Sequence, residues 1–422
     1  MRRLGPLLAA LVALAIALAP AGCSRRERLN PLDPGNPQTG GAPSGFNAVA
    51  GYASVQLRWD PHPELAIDGF RLLRRTEGAA DWQLLTADLT PSNSRYLDSG
   101  LPNSVRQHYR LEYVIGGQPG PRAAEDDATP GAARPWVADP GAGAVLLISP
   151  DGRDVNVRRT GLGDIYALAV DPRDGTLWGS ARYDGLVWLI DPFGVDDFAI
   201  PGVASPYALA VSPFDHSVWV TDVTGGLAHF RRDGTAATPG YLSTLDDPID
   251  VAVNPFDASV WVAERHGNRV RHYAANGTPL GTAFVTAPAR VAVDSLTRLA
   301  WVTSLDAGRV WRIAENGAVL DSSLAANGPI GISIDRPHGR VWVADAVGAR
   351  VLALDLSTLA VLSTTTNAGT PYDVAADPVT GEVWVVSRGE RAVVRLAPDG
   401  RVLDRLTGLS DPVQVRLDPG YH

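Results

Sequence analysis

Residues 249–277 read IDVAVNPFDASVWVAERHGNRVRHYAANG, and this stretch decides the fold. Ile249, Val251 and Val253 alternate with Asp250 and Ala252, which is the period of a strand with two unlike faces. Asn254-Pro255 then breaks the strand. A second strand centres on Trp261, a third passes through Val270 and His272, and Asn276-Gly277 closes the unit with turn chemistry. Alone, such a unit would leave its apolar face in water, so neighbours of the same kind are expected.

The neighbours are there. Trp136, Trp178, Trp219, Trp261, Trp301, Trp342 and Trp384 are separated by 42, 41, 42, 40, 41 and 42 residues. Six of them follow an aliphatic strand: YALAVDP from Tyr166, YALAVSP from Tyr207, IDVAVNP from Ile249, ARVAVDS from Ala289, IGISIDR from Ile330 and YDVAADP from Tyr372. Trp136 has no such strand before it, while VQVRLDP from Val413 has no Trp after it. A ring of sheets explains the offset: the last strand returns to become the innermost strand of the first unit, so that no edge is left unpaired. Repeats of about 40 residues with four strands each indicate a β-propeller, here seven-bladed. A linear solenoid would want capping repeats instead, and no helical period recurs to support a TIM barrel.

The units resemble NHL repeats, with an aliphatic strand, an Asp-Pro turn, an aromatic strand, an acid, Gly-Asn-x-Arg and an Asn/Asp-Gly turn; Asp345, Gly348 and Arg350 repeat part of this pattern. The resemblance spans roughly residues 134–418 and extends to gluconolactonase-like, streptogramin-lyase-like and amidating-lyase propellers. It implies that the loops before each inner strand and those after each Trp strand share one partner-binding face. On that face stand Asp164, Asp247 and Asp411 from the incoming loops. The post-Trp loops add Asp139, Arg182, Asp222, Glu264, Arg265, His266, Asp345 and Arg388. Each is either a binding residue or a charge satisfying its own turn.

Alternation along the inner strands sorts their side chains into two sets. Tyr166, Leu168 and Val170 and their counterparts are expected between blades. Ala167, Ala208, Asp250, Arg290, Gly331, Asp373 and Gln414 are expected at the axis, with Ala169, Ala210, Ala252, Ala292, Ser333, Ala375 and Arg416 one step lower. Asp250, Arg290, Asp373, Gln414 and Arg416 then line a narrow channel, where charge must be paired or hydrated. They form either an ion-pair network holding blades together or a site for a small ligand or cation. Metal-dependent lactonase-like propellers hold an axial divalent ion on converging carboxylates, an oxygen set suited to Ca²⁺. Arg290 and Arg416 would repel such an ion, so no cofactor is assigned.

Two readings follow. The first is a non-catalytic binding or scaffold protein that recognises a protein, peptide or glycan through one propeller face. The second is a lactonase- or lyase-like enzyme acting at the central channel. Of the eight histidines only His266 falls in a loop of the binding face; His229 and His272 lie on third strands, His216 and His338 in opposite-face turns. There is no HExxH, nucleophile elbow or phosphate loop. The readings diverge at Asp250 and Asp373: an open carboxylate pair near His266 favours the enzyme, neutralisation by Arg290 and Arg416 favours the binder.

Ahead of the repeats, residues 43–130 show short alternating runs: Val55, Leu57 and Trp59; Trp82 and Leu84; Tyr109, Leu111 and Tyr113. About 90 residues of this kind suggest a β-sandwich. Pro43, Trp59, DGFRLLRR at residues 68–75, and Asp98 with Leu101-Pro102 before Tyr109 resemble a fibronectin type III domain. Trp59 and Tyr109 are core residues in that reading. Residues 23–42 are poor in apolar side chains and rich in Pro, Gly and Asn, as in a tether. Arg2 and Arg3, the 12-residue apolar run 7–18 and Ala21-Gly22-Cys23 are laid out as a secretory signal over residues 1–22. The run is too short to span a bilayer, which needs about 20 residues. Ending at the chain's single cysteine, it resembles a bacterial lipoprotein signal, which implies lipidation of Cys23 and anchoring in the cell envelope, at the outer membrane or facing the periplasm, with the cell surface as a further alternative.

Composition narrows the partners. All 37 basic residues are Arg, so no Schiff-base or P-loop lysine exists. The net charge of −9 argues against a nucleic-acid partner.

Overall fold

Thirty-five β-strands and one 3-10 turn, Pro140–Ala142, account for the regular structure of the described residues. The computed structural model describes residues 30–36, 39–51, 54–63, 65–102, 105–130, 134–171, 175–191, 197–323 and 326–418. Cys23 and the signal run lie outside them.

Two sheets form the N-terminal unit. One orders Asn47–Gly51, Ser54–Arg58 and Arg95–Ser99; the other orders Gln83–Leu89, Gly69–Thr76, Gln107–Ile115 and Gln118–Ala128. Val55, Leu57, Trp59, Phe70, Leu111 and Tyr113 fill the space between them. Tyr109 is fully buried and donates to Asp98 Oδ2 at 2.9 Å, while Arg74 Nη1 holds both oxygens of the same carboxylate at 3.0 Å. Trp82 and Leu84 alternate as read, but on the outer face. Leu84 is exposed, Arg110 lies 4.3 Å from the Trp82 ring, and Leu85 and Leu89 turn to the core instead. Register shifts in the Gly69–Thr76/Gln83–Leu89 pairing accompany this change of face. The segment read as a tether is partly ordered: Thr39 Oγ1 bonds Pro31 O at 2.8 Å, and Leu32 packs on the sandwich core.

Seven four-stranded antiparallel sheets follow, and their innermost strands form a closed ring, making the β-propeller. In order these are Ile165–Val170, Pro206–Val211, Pro248–Val253, Pro288–Val293, Pro329–Asp335, Pro371–Ala376 and Gln414–Asp418. The last pairs with Arg134–Asp139 in regular register, Gln414 against Ala138 and Arg416 against Trp136. Arg134 also pairs with Asp418.

Six Trp face a small inner-strand residue across the ladder, Ala169, Ala210, Ala252, Ala292, Ser333 and Ala375, and Trp136 in the first blade faces Arg416. All seven Trp are at most 1% exposed and pack against the following blade. Trp178, for instance, shares a cluster with Leu209, Val218 and Val220, and Trp384 one with Val137, Leu146 and Val415, which seals the ring. Burying an indole of about 150–250 Å² is worth several kcal/mol at ~25 cal/mol/Å², so each seam between blades is a hydrophobic joint. Crowding at the axis is severe: a Cβ on Gly331 would stand 2.6 Å from Asp373 Cα.

Candidate functional site

The axial residues do converge. Arg290 Nη1 donates to Asp250 Oδ1 at 3.3 Å and Arg416 Nη1 to Asp373 Oδ2 at 2.8 Å. Asp250 also accepts the Val291 N–H at 2.7 Å, Asp373 the Val415 N–H at 3.2 Å, and Gln414 Oε1 the Leu168 N–H at 2.5 Å. Each of these donors belongs to the next inner strand round the ring. Adjacent inner strands share no ladder, so their edge N–H groups need side-chain acceptors, and these three residues supply them. Burial raises the Asp250 carboxyl above its ordinary range, only partly offset by Arg290 and the Val291 N–H. Burial also opposes the charge on Arg290, but Asp250 and Asp373 outweigh it and raise that guanidinium well above its usual value. The set is therefore an inter-blade network of paired charges. Among the described residues no three His, Cys, Asp or Glu side chains are placed together as metal ligands.

The mouth above this network adds to the expected pattern. Tyr166 packs against inter-blade cores as expected, and its hydroxyl also lies 3.1 Å from that of Tyr372 and accepts from Tyr207 at 3.3 Å. The physical reason is a β-bulge near the start of the inner strand, where Ile165 pairs with Ala181 but Ala167 with Ser180. The extra residue re-aims the side chain before the axial position. Five other blades show the same shift, but the strand Gln414–Asp418 does not, and Val413 stays fully buried in its blade core. Tyr166 and Tyr372 meet across that position. The bulge's freed groups are satisfied by second-strand hydroxyls: Ser180 Oγ accepts from the Ala167 N–H and donates to Tyr207 O, and Thr303 Oγ1 accepts from the Arg290 N–H and donates to Ile330 O. Burial pushes the Tyr166 and Tyr207 phenols up, so both remain protonated donors. The signal for this cluster was in the sequence: three inner strands open with Tyr in a column otherwise aliphatic.

The loop candidates divide. Asp139, Asp222, Glu264 and Asp345, each three residues after its Trp, are at most 2% exposed and so are not surface ligand contacts, correcting that part of the reading. Asp139 accepts the Ser410 and Asp411 N–H groups. Asp222 takes those of Ala204, Ser205 and Thr224, and Glu264 that of Asp246 together with Arg269. Asp345 takes Asn327, Gly328, Gly348 and Arg350 Nε. Burial opposes the charge on Asp222 and Asp345, but their N–H, O–H and guanidinium donors outweigh it and hold both carboxyls below the usual range.

The remaining candidates ring the mouth. Arg182 lies 4.9 Å from the Tyr207 ring centre and Arg388 5.2 Å from that of Tyr372. Arg388 makes a bidentate pair with Asp411 at 2.6 and 2.8 Å, which raises its guanidinium further. Asp247 accepts Arg265 Nε at 2.8 Å with His266 Nδ1 at 3.4 Å, and the His266 ring is largely exposed. Asp164 is raised by burial and by Asp184 beside it. Off centre, a cavity of about 360 Å³ opens between Tyr207, Ile249, Arg290, Leu305, Ile330 and Tyr372, with Arg265, His266, Asn268 and Asp306 at its edge. Its walls are apolar and aromatic, with convergent donors and no open carboxylate pair, an arrangement suited to holding a ligand.

Comparison with known proteins bears on the fold. No protein-family model and no curated protein sequence matches the chain. Among solved structures, a protein of unknown function from Desulfotomaculum acetoxidans is 14% identical with a TM-score of 0.57, covering 68% of this chain and 99% of that one. A streptogramin B lyase is 17% identical with a TM-score of 0.52, covering 68% and 95%. Virginiamycin B lyase from Staphylococcus aureus is 17% identical with a TM-score of 0.51, covering 61% and 92%. These likenesses show the propeller architecture.

Proposed function

We propose that the chain is a lipid-anchored, extracytoplasmic binding protein: a fibronectin type III-like module and a seven-bladed, NHL-like propeller that takes a protein, peptide or glycan ligand at the channel mouth. The observation that carries this reading is the neutralisation of the axial carboxylates. Asp250 and Asp373 are already committed to Arg290, Arg416 and backbone N–H groups. What remains for a ligand is the layer of tyrosines and arginines above them. Aromatic faces with polar tips, flanked by guanidinium groups, are the side chains that carry most binding energy at recognition surfaces.

A peptide and glycan array probed with the mature chain tests the proposal. A ligand should be found whose binding falls several-fold in a Tyr207→Phe, Tyr372→Phe variant, which keeps both packed rings and removes only the hydroxyls. Binding that survives this double change undiminished would remove the mouth as the site.

A second reading, a lyase- or lactonase-like enzyme, keeps one support: His266 borders the same cavity with Asp247 beside its Nδ1, the arrangement that a general base and its orienting acid require. It requires turnover of a small ester or lactone that His266→Ala abolishes; binding without turnover leaves the first reading alone.

A further inference from the structure

Arg290 is the feature of the mouth that pairing leaves unfinished. Its side chain is 6% exposed, yet it borders the cavity. A guanidinium carries five N–H donors. Among the described residues this one makes a single side-chain hydrogen bond, the long 3.3 Å contact to Asp250, and its buried Nε has no protein partner. Asp250 meanwhile directs its other oxygen to the Val291 N–H, and Asp373 is held by Arg416 and the Val415 N–H. Arg290 therefore keeps spare donors, while the acceptors left near it are Asp373 Oδ1 and the exposed Asp306 at the cavity edge.

The tyrosines add another donor. Three hydroxyls joined by two hydrogen bonds leave one O–H unused. Tyr207 donates to Tyr166, and the Tyr166–Tyr372 bond can run either way; an acceptor bound in the cavity selects the direction in which Tyr166 donates to Tyr372, which frees the proton of Tyr372, whose side chain borders the cavity. Around these donors the walls are Ile249, Leu305 and Ile330, and Arg265 stands at the edge. A buried guanidinium without a full set of acceptors is costly. The group that best completes it is planar, anionic and able to accept two hydrogen bonds at once.

We propose that this cavity is a carboxylate site: it takes a carboxylate borne on an apolar stem, the anion on Arg290 and the Tyr372 hydroxyl and the stem against Ile249, Leu305 and Ile330. The inference deepens the binding reading above and rests on it. A volume of about 360 Å³ is at the small end of the roughly 300–1,000 Å³ usual for ligand cavities, which fits one side chain or chain terminus and not a whole oligomer. Two sources share this chemistry, the free C-terminus of a peptide and a small organic acid.

Calorimetry on the mature chain separates them. The probes are 4-phenylbutyrate against 4-phenylbutyramide, and acetyl-Leu-Phe with a free C-terminus against its C-terminal amide. In whichever pair binds, the acid is expected to bind at least tenfold tighter than the amide, and Tyr372→Phe, which keeps the ring, to weaken the acid several-fold while leaving the thermal midpoint in place. Tight binding of both acids, or of one, assigns the source. Equal binding of acid and amide, or binding of none of the four, overturns the proposal. If the arrays also yield a mouth-dependent ligand without a carboxylate, the binding reading stands and only this inference falls; if no ligand depends on the mouth, both fall.

Discussion

Each of the seven tryptophans meets a different cross-strand neighbour on the third strand: Leu147, Leu189, His229, His272, Arg312, Ala353 and Arg395 in ring order. The indole tolerates this range because every flat or flexible group can lie on its face. His229 stacks on Trp219 at 3.8 Å and 8°, with Nε2 2.8 Å from Ser217 Oγ. Burial lowers its pKa from 6.5 to about 4. The unfolded chain therefore binds the proton more readily than the folded one. Stability from this residue is fully present above pH 6.5 and is lost as pH falls through about 4. The loss is roughly 2 kcal/mol after allowance for partial solvation. His229→Leu, the side chain found opposite Trp136 and Trp178, should flatten the urea-melt profile between pH 7 and 4. Identical slopes for variant and parent would rule this out.

Strands were legible from alternation, and blades from the Trp spacing, because both depend on local periods of two and about 41 residues. The bulges were not, since one extra residue in a ladder leaves no mark on composition. That is why the packing of the tyrosines at the blade seams was legible while the meeting of their hydroxyls at the mouth required coordinates. The acids after Trp were legible as polar loop residues, but not as buried clasps. Whether an Asp on a loop faces water or the neighbouring backbone depends on where the next blade arrives. Asp345 clasps three backbone N–H groups and Arg350. Asp345→Ala leaves these donors stranded and should cost ~3 kcal/mol in chemical denaturation. Asp306→Ala, at an exposed position, should stay within about 0.5 kcal/mol. Equal effects of the two changes would show that the buried clasp has no special weight.

At the scale of the molecule, the strand Gln414–Asp418 joins the end of the chain to its first blade. Val413 and Val415 are fully buried there, and the cluster containing Val415 includes Trp384 and Leu146. A chain ending at Ser410 loses that strand and opens the seam on both sides. Its thermal transition, followed by circular dichroism, is expected to broaden and fall in midpoint relative to the full chain. An unchanged cooperative transition would mean that the ring does not need its closing strand.

Repetition is a property of the chain itself, so the amino-acid order alone determined the β-architecture, the blade unit and the pairing of the C-terminal strand with the first Trp strand. The composition of the axial layer was equally readable, because alternation assigns every second inner-strand residue to it. Only the tertiary structure decided how those charges are used. Pairing between adjacent inner strands joins residues some 40 positions apart, Asp250 to Arg290 and Asp373 to Arg416. Distances of that kind depend on the curvature of the whole ring. The same curvature, with the bulges, brought Tyr166, Tyr207 and Tyr372 together and left Arg290 Nε without a protein partner.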